Sequence, residues 1–243
     1  MTGHAARDGS TSDVLGVALA DSAAGQPLLV ERVDGHLSTA DLDWWLRRPG
    51  ARPPADVVAL DWITGETVID VGCATGRHLE ILAGRGLSAT GIDICARAIE
   101  IARAAGLAAE VADAHRYQPP NFADTVLALG GGPGIAGSRA AAAAFLARLA
   151  SWLTPRGALI VSSIDWRIGD RHRDWIRSAT AQGRYPGDIT MRLRYGDLVG
   201  DWFTWVWLDP DTLSQVCADA GLVITHLRRW GSWYAAMLNR PPR

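Results

Sequence analysis

From Thr67 to Ser162 the chain alternates short apolar segments with helical ones, and this alternation constrains the fold more than any other feature. The apolar segments predict five strands, at 67–71, 88–92, 107–111, 125–129 and 158–162. Mostly apolar strands are typical of a parallel sheet that is covered on both faces. The sequence therefore predicts a doubly wound α/β sheet with helices packed on each side.

The region before the first of these strands predicts an arm and a helical cap. Residues 1–12 are small and polar and are expected to be disordered. Short helices are predicted at 13–20, 41–48 and 55–62, the second of them stopped by Pro49 and Gly50. We therefore interpret residues 1–54 as an N-terminal arm and cap.

The C-terminal third changes character, because its polarity alternates with a period of two residues. Residues 189–195 and 201–208 predict the two antiparallel strands of a hairpin. A helix at 209–220 and closing strands at 222–227 and 234–238 follow. The interpretation is one domain over residues 55–240 that carries an added hairpin at about 185–208.

The composition disfavours some classes of partner. The chain has 243 residues and a formal net charge of −2, which gives no reason to expect a nucleic acid or a membrane as partner. Its three cysteines, Cys73, Cys95 and Cys217, are widely spaced and odd in number, so they predict no disulfide framework. We therefore expect a cytoplasmic protein, either a monomer or a homodimer.

A loop of small residues, Asp70-Val-Gly-Cys-Ala-Thr-Gly76, joins the first strand to a helix. Small residues let the backbone pass close to a ligand, and the helix that follows offers free N–H groups to it. A dinucleotide-binding loop would carry a third glycine where Arg77 stands, which disfavours a nicotinamide cofactor. Asp70, two residues before the first glycine, suits a ligand that presents positive or hydrogen-bond donor groups.

This loop resembles motif I of the class I S-adenosylmethionine-dependent methyltransferases, with Ala74 where glycine is commonest. Three further segments resemble that family at the expected spacing: Asp93 at the end of the second strand, Asp113-Ala114 after the third, and Leu153-Thr-Pro-Arg-Gly157 before the fifth. The resemblance covers about residues 55–240. It implies a seven-stranded, mostly parallel sheet and S-adenosylmethionine as the cofactor, with S-adenosylhomocysteine as its product.

The same resemblance implies which residues surround the cofactor. They are Asp70, Gly72, Cys73, Ala74, Gly76, Asp93, Ile94, Asp113, Ala114, Leu129 and Gly130. The glycine loop would line the methionine part, with Asp70 near the amino group. Asp93 would accept from the ribose hydroxyls, Ile94 and Asp113 would meet the adenine, and residues 129–130 would run along the other side.

Methyl transfer from a sulfonium is an in-line displacement, for which the protein supplies positioning, desolvation and sometimes a base. Family members that methylate nucleic-acid bases carry Asn or Asp, two prolines and an aromatic residue after the fourth strand, whereas this chain has Gly130-Gly-Gly-Pro-Gly134 there. The resemblance therefore implies a small organic acceptor, methylated at oxygen, nitrogen or carbon in a biosynthetic reaction. We expect residues 130–134 to form an open, donor-rich rim beside the methyl group; a flexible strand-to-helix loop is the alternative.

Aromatic residues are the main candidates for contacts with this acceptor. The chain has eleven tryptophans, which predict either a tryptophan-rich core or an aromatic-walled pocket. The expected substrate-binding residues, from the cap and from residues 163–208, are Trp44, Trp45, Trp166, Tyr185, Arg192 and Trp205. If its strand face looks into the cleft, the Arg192 guanidinium could hold an acidic or polar group; a solvated strand face is the alternative.

His172 and Asp165 are the candidate general bases, because both follow the fifth strand near the expected cleft entrance. Ordinary surface solvation is the alternative for each. No cluster of His, Cys, Asp or Glu has metal-ligand spacing, so no metal site is predicted. Two other functions remain open: a protein that keeps this fold and cofactor but catalyses a non-methylating reaction such as a cyclisation, and a less favoured NAD(P) oxidoreductase.

Overall fold

The fold is described from a computed structural model of the chain, which covers residues 7–21, 25–48, 54–169 and 172–241. The disorder expected at residues 1–6 and the helix stop at Pro49 and Gly50 lie outside these residues. The disorder expected at residues 7–12 is wrong, because a strand covers Arg7–Gly9 and a helix begins at Thr11. In the part of the chain that the structure covers, no helix has the length and apolar character needed to cross a membrane.

The described residues form thirteen strands and eight α-helices. The strands are β1 (Arg7–Gly9), β2 (Leu28–Arg32), β3 (Leu37–Ala40), β4 (Thr67–Val71), β5 (Ser88–Asp93), β6 (Ala109–Val111), β7 (Ala123–Ala128), β8 (Leu153–Ile164), β9 (Asp188–Tyr195), β10 (Leu198–Gly200), β11 (Phe203–Val206), β12 (Val223–Trp230) and β13 (Trp233–Asn239). The helices are α1 (Thr11–Ala20), α2 (Leu42–Trp45), α3 (Pro54–Ala59), α4 (Arg77–Gly84), α5 (Ala96–Ala104), α6 (Arg139–Ser151), α7 (Arg173–Ala181) and α8 (Pro210–Asp219).

Seven of these strands form the main sheet, in the order β12-β13-β8-β7-β4-β5-β6. Strands β4 to β8 run parallel, and β13 and β12 close one edge antiparallel. Their interior is apolar: Leu159, Ile160 and Val126 are almost completely buried. The predicted doubly wound, seven-stranded and mostly parallel α/β sheet is therefore confirmed. Its carboxyl edge carries the loops after β4, β5, β7 and β8, where open α/β sheets bind ligands.

A second, six-stranded sheet lies beside the main one, in the order β1-β10-β9-β2-β3, with β11 also paired to β9. It contains the antiparallel hairpin that the sequence predicts, but it is wider, because the N-terminal strands β2 and β3 join it. One face packs against α1 through Leu28, Leu193 and Tyr195. Strands from both sides of the predicted boundary at residue 54 therefore belong to this one sheet.

The N-terminal region differs from the sequence prediction in its secondary structure. Strands β2 and β3 were not predicted, and the helix expected over residues 41–48 is the single turn α2. The missed pair is a hairpin whose turn contains Asp34-Gly35, a dipeptide typical of tight hairpin turns. Helix α7 was also not predicted. The cap is therefore a mixture of strand and helix, and α2 is the part that reaches the carboxyl edge of the main sheet.

The Asp209→Ala variant is expected to lose about 2 kcal/mol of unfolding free energy, because Asp209 caps α8. Its Oδ1 accepts from the backbone N–H of Thr212 at 3.2 Å, and its Oδ2 accepts from the Tyr185 hydroxyl at 2.8 Å. Burial raises the pKa of Asp209, but the bonds from Thr212 and Tyr185 lower it more, so it lies below its ordinary value.

Urea unfolding at several pH values tests this prediction. A lowered folded-state pKa means that the stabilisation is complete above about pH 4, the unfolded value, and is lost as the pH falls through the folded value. Wild type and variant should therefore converge in acid. Asp211→Ala, an exposed change in the same helical turn, is the control. A difference that grows on acidification would contradict the role of the ionised cap.

Candidate active site

The loop between β4 and α4 passes through three left-handed backbone conformations. The φ angles are 73° at Gly72, 46° at Ala74 and 85° at Gly76. A side chain in this region costs about 1 kcal/mol or more, which explains why glycine is the commonest residue where Ala74 stands. The N–H groups of Gly72 and Cys73 both donate to the carbonyl of Ile92, at 2.8 and 3.1 Å. The loop is thus fixed to β5 and presents its backbone at the carboxyl edge of the sheet.

Asp93 ends β5 directly beside this loop. Its Oδ2 accepts from the N–H of Ala74 at 2.9 Å, and its Oδ1 accepts from the N–H of Cys95 at 2.8 Å. Burial raises the pKa of Asp93, and the neighbouring Asp70 carboxylate adds to the rise. A carboxylate has about four lone-pair sites, so the two backbone bonds leave acceptor capacity for the ribose hydroxyls that the resemblance assigns to it.

The residues expected at the adenine lie along the next part of the edge. Ile94 is 61% exposed, so a large apolar side chain stands open beside Asp93. Asp113 accepts from the N–H of His115 at 2.9 Å, and Ala114 is buried beside it. Their arrangement leaves an apolar surface next to a carboxylate, which suits an adenine ring and its amino group. That these residues bind the adenine stays a prediction.

A buried cluster of four titratable or charged side chains lies under the loop, formed by Asp56, Asp70, Arg77 and His78. Arg77 Nε donates to His78 Nε2 at 3.1 Å, and His78 Nδ1 lies 3.2 Å from Asp70 Oδ2. Asp56 Oδ2 lies 3.5 Å from Arg77 Nη2. Burial raises the pKa of Asp56, but His78 and Arg77 lower it more, so it lies below its ordinary value. Of this cluster, sequence analysis placed only Asp70 at the cofactor.

Gly130, which follows the buried Leu129 at the end of β7, connects the cluster to the other side of the expected cofactor pocket. Its N–H donates to Asp56 Oδ1 at 3.2 Å and to Ser162 Oγ at 2.7 Å. Ser162 in turn donates to Asp56 Oδ1 at 2.6 Å. Asp56 therefore links the two loops between which the resemblance implies that the cofactor lies, and no sequence motif marked it.

The expectation that residues 130–134 form an open rim is wrong. A Cβ added at Gly130 would lie 3.0 Å from carbons of the Trp44 ring, and one at Gly131 would lie 2.5 Å from the Trp207 ring. A Cβ at Gly134 would collide with the Trp205 ring. The glycines are needed because indole rings occupy the space where side chains would stand.

These indoles belong to a continuous row of rings, which we call the aromatic row. It runs through Trp45, Trp44, Trp233, Trp207, Trp205 and Phe203, with successive centroids 5.5, 6.1, 6.2, 6.2 and 6.4 Å apart. Trp44, Trp45 and Trp205 are among the residues expected to bind the substrate, whereas Trp207 and Trp233 are not in that set. The alternation of Phe203, Trp205 and Trp207 along one strand was the available signal.

Trp166 and Tyr185, also expected to contact the substrate, meet at the backbone carbonyl of Trp207, and their role in substrate binding stays a prediction. Trp166 Nε1 donates to the carbonyl of Trp207 at 3.1 Å, and the Tyr185 hydroxyl lies 3.1 Å from the same oxygen. Their rings pack edge to face with centroids 5.6 Å apart. The structure therefore assigns both residues contacts that fix the backbone of Trp207.

Arg192 lies on the opposite face of the second sheet from the aromatic row. Strand pairing places Phe203 opposite Met191 and Trp205 opposite Ile189, so those aromatics share the odd-numbered face of β9. On the other face, Arg192 Nε donates to Glu31 at 2.9 Å and its guanidinium stacks on Trp202, which is 43% exposed. The structure does not bring Arg192 to the cofactor loops.

The two candidate bases have different surroundings. Asp165 is buried, and its two carboxylate oxygens accept from Arg167 at 2.8 and 2.9 Å, so a role as base would require this ion pair to break. His172 is half-buried before α7, with Nδ1 3.4 Å from Arg32 Nη1 and its ring 6.0 Å from the ring of His36. The contacts named here give the two candidates different partners, and their role as bases stays a prediction.

The residues present fit the cofactor that the resemblance implies. The left-handed loop, the buried carboxylate of Asp93 and the open apolar side chain of Ile94 provide surfaces for an amino acid, a ribose and an adenine. Trp44 Nε1 and Asp56 Oδ2 are buried and find no hydrogen-bond partner among the residues that the structure describes, and polar groups of a ligand would satisfy them. Over the residues covered, no three His, Cys, Asp or Glu side chains are grouped to hold a metal.

Comparison with known proteins agrees with this geometry. The family model described as "Methyltransferase domain" matches residues 51–227. The ubiquinone biosynthesis O-methyltransferase of Pseudomonas paraeruginosa is 37% identical over 81 residues, which is 30% of this chain and 35% of that protein. The chain thus matches only about a third of the length of this curated relative.

Solved structures match over nearly the whole chain. A SAM-dependent methyltransferase from Bacteroides fragilis, in complex with S-adenosyl-L-homocysteine, is 25% identical with a TM-score of 0.79, over 96% of this chain and 97% of that one. The CcbJ methyltransferase from Streptomyces caelestis, 13% identical with a TM-score of 0.62 over 82% of this chain and 96% of that one, shares the fold. The chain therefore belongs to the family of class I S-adenosylmethionine-dependent methyltransferases.

Proposed function

We propose that the protein transfers the methyl group of S-adenosylmethionine to a small organic acceptor that binds against the aromatic row. The main support for this proposal is the close packing of three indole rings against the glycines of residues 130–134. The rings are those of Trp44, Trp207 and Trp205. The resemblance implies that residues 129–130 run beside the methyl donor. An acceptor that reaches the donor would therefore touch indole rings, which favours an acceptor with an apolar or aromatic surface.

The cofactor supplies the methyl group on its sulfonium, and the chain supplies the environment. Rings on one side and the buried sheet edge on the other exclude water from the reacting atoms. Trp166 and Tyr185 hold the backbone of Trp207, so that this ring keeps its position while the acceptor is aligned. His172 remains the proposed base for an acceptor that loses a proton, because Asp165 is held by Arg167.

An assay with S-adenosylmethionine labelled in its methyl group tests the proposal. The purified protein is incubated with sets of phenols, amines, carboxylic acids and compounds with a nucleophilic carbon. The products are then separated, and their masses are measured by mass spectrometry. The expected result is a product that gains one labelled methyl group together with one equivalent of S-adenosylhomocysteine. A product formed without gain of label would overturn methyl transfer in favour of a non-methylating reaction such as a cyclisation.

Replacement of Trp207 by alanine should separate acceptor binding from cofactor binding. Because Trp207 is central in the aromatic row, we expect kcat/KM for the acceptor to fall by about 100-fold, on the scale of a lost aromatic anchor. The affinity for S-adenosylmethionine should stay within about twofold of wild type, a difference well below 1 kcal/mol.

The matched control is Trp202→Ala, which removes an exposed tryptophan from the outer face of the same sheet. It should leave kcat/KM unchanged. Equal losses in the two variants would indicate damage to the sheet and would count against an acceptor site at the aromatic row.

A further inference from the structure

A buried arginine, Arg32, lies on the face of the second sheet that carries the aromatic row. Strand pairing places Met191 of β9 opposite both Phe203 of β11 and Arg32 of β2. Paired residues on adjacent strands project to the same face of a sheet. Arg32 therefore shares a face with Phe203, the last ring of the row, and is two strands away from it, which is about 10 Å. Arg192, the neighbour of Met191 in sequence, projects to the opposite face.

The guanidinium of Arg32 is held in one orientation and keeps donors for a ligand. Its side chain is 10% exposed. Asp34 accepts from Nε at 2.7 Å and from Nη2 at 2.6 Å, and Nη1 lies 3.4 Å from Nδ1 of His172. Among the residues that the structure describes, these contacts use three of the five N–H groups of a guanidinium. The others suit a carboxylate, because a carboxylate accepts well from paired N–H groups of an arginine.

The other groups that surround this guanidinium are aromatic or basic. The Trp175 ring lies 4.6 Å from the guanidinium carbon of Arg32 and 5.2 Å from that of Arg184. His36, whose carbonyl accepts from the Arg32 N–H at 2.9 Å, adds an imidazole 6.0 Å from that of the candidate base. Among these contacts, Asp34 supplies one negative charge to two guanidiniums and two imidazoles, and this balance favours a second anionic group.

The surface between the aromatic row and Arg32 is accessible to a ligand. Phe203 and Met191 are both only partly buried, so the ring and the thioether keep area that a ligand would cover. Phe203 ends the row, whereas Trp44 lies against Gly130, beside the expected methyl donor. An acceptor that lies along the row therefore reaches Arg32 with the end that is remote from the methyl donor.

We infer that Arg32 binds a carboxylate or a similar acidic group of the acceptor, at the end of the aromatic row away from Trp44. The inference rests on the proposed function, because it takes the aromatic row as the acceptor site. Arg32 is then a specificity-determining residue, and Asp34 is a positioning residue that acts through it. The acceptor is an acid with an apolar or aromatic body, and its acidic group is an anchor that stays unmethylated.

Calorimetric titration with matched aromatic acids and amides tests the inference. The protein is saturated with S-adenosylhomocysteine and titrated with benzoate and benzamide, with phenylpropionate and phenylpropionamide, and with naphthoate and naphthamide. The two members of a pair share their ring and differ in the charge of one end. In at least one pair, wild type should bind the acid about tenfold or more tightly than the amide, the scale of one charge-assisted hydrogen bond. Arg32→Met should remove this preference by weakening the acid alone.

Two further variants keep the test independent of folding. Arg192→Met is the matched control, because it removes an arginine from the opposite face of the same sheet, where its partner is Glu31. It should keep the wild-type preference. Asp34→Asn keeps Arg32 but removes the resident carboxylate, so it should tighten the acid by about threefold or more, the scale of a partly exposed charge pair.

The outcomes separate this inference from the proposed function. Equal affinity of wild type for acid and amide, or no binding of any acid, would overturn the acid subsite. Equal weakening of both members in a folded Arg32→Met variant, or an unchanged acid affinity in Asp34→Asn, would overturn it as well. Trp207→Ala should weaken acid and amide alike. If Trp207→Ala changed neither while Arg32→Met still removed the preference, the aromatic row would fail as the acceptor site and acid binding at Arg32 would stand.

Discussion

Asp93→Ala should weaken the binding of S-adenosylmethionine by at least about 100-fold, because two hydroxyl bonds to a charged acceptor would be lost together. The change also removes the acceptor of the Ala74 and Cys95 N–H groups, so the loop between β4 and α4 loses one of its contacts with β5, while the bonds from Gly72 and Cys73 to Ile92 remain. Calorimetry with S-adenosylmethionine and S-adenosylhomocysteine measures the effect.

The control for Asp93→Ala is Asp61→Ala, which removes an exposed carboxylate paired with Arg85. It should bind both ligands as wild type does. Burial raises the pKa of Asp93. As the pH is lowered, the affinity for the cofactor should therefore begin to fall at a higher pH than it would if Asp93 had the pKa of an ordinary aspartate. Unchanged affinity in Asp93→Ala would contradict the assignment of the ribose site.

Gly130→Ala should lower both stability and cofactor affinity. The φ angle of 67° disfavours a side chain, and the new Cβ would press on Arg77 Nη2 at 2.5 Å and on the Trp44 ring at 3.0 Å. We expect a loss of about 1 to 3 kcal/mol in unfolding free energy. Displacement of Trp44 and Arg77 should also weaken S-adenosylmethionine by about tenfold or more.

Two other glycine-to-alanine variants separate the cost of the added Cβ from the cost of the positive φ angle. Gly84→Ala adds a Cβ in open space within α4 and should be neutral or stabilising by up to about 1 kcal/mol. Gly86→Ala also meets no atom within 4 Å, but its φ angle is 75°, so it measures backbone strain alone. If Gly130→Ala merely reproduced Gly86→Ala and kept full cofactor affinity, the close packing of Trp44 and Arg77 on this loop would be refuted.

The parallel strands of the main sheet could be predicted from the sequence because each has an apolar segment and the helices between them end at clear stops. The second sheet was only partly predictable. Its strand β2 mixes Leu28 and Val30 with Glu31 and Arg32, so neither face is uniformly apolar, and one of its two partners, β9, lies far along the chain. Asp34-Gly35 was the local sign of the hairpin.

Part of the candidate site was likewise predictable from the sequence, and part was not. The loop at residues 70–76 and Asp93 are local in sequence, so their placement at the carboxyl edge followed from strand and loop order. The aromatic row could not be predicted from the sequence, because Trp44, Trp207 and Trp233 come from three distant segments of the chain. Arg192 was expected to face the cleft only if its strand face does, and which face of β9 is covered depends on the packing of Phe203 and Trp205, not on the strand itself.

A crystal structure of the chain with S-adenosylhomocysteine tests the central claim most directly. The account predicts the ribose at Asp93, the adenine on Ile94 near Asp113, and the amino-acid end at the loop between β4 and α4 near Asp70. The sulfur should face the aromatic row. A ligand bound with its amino-acid end at Asp113, or at any place other than the loops after β4, β5 and β7, would contradict the account.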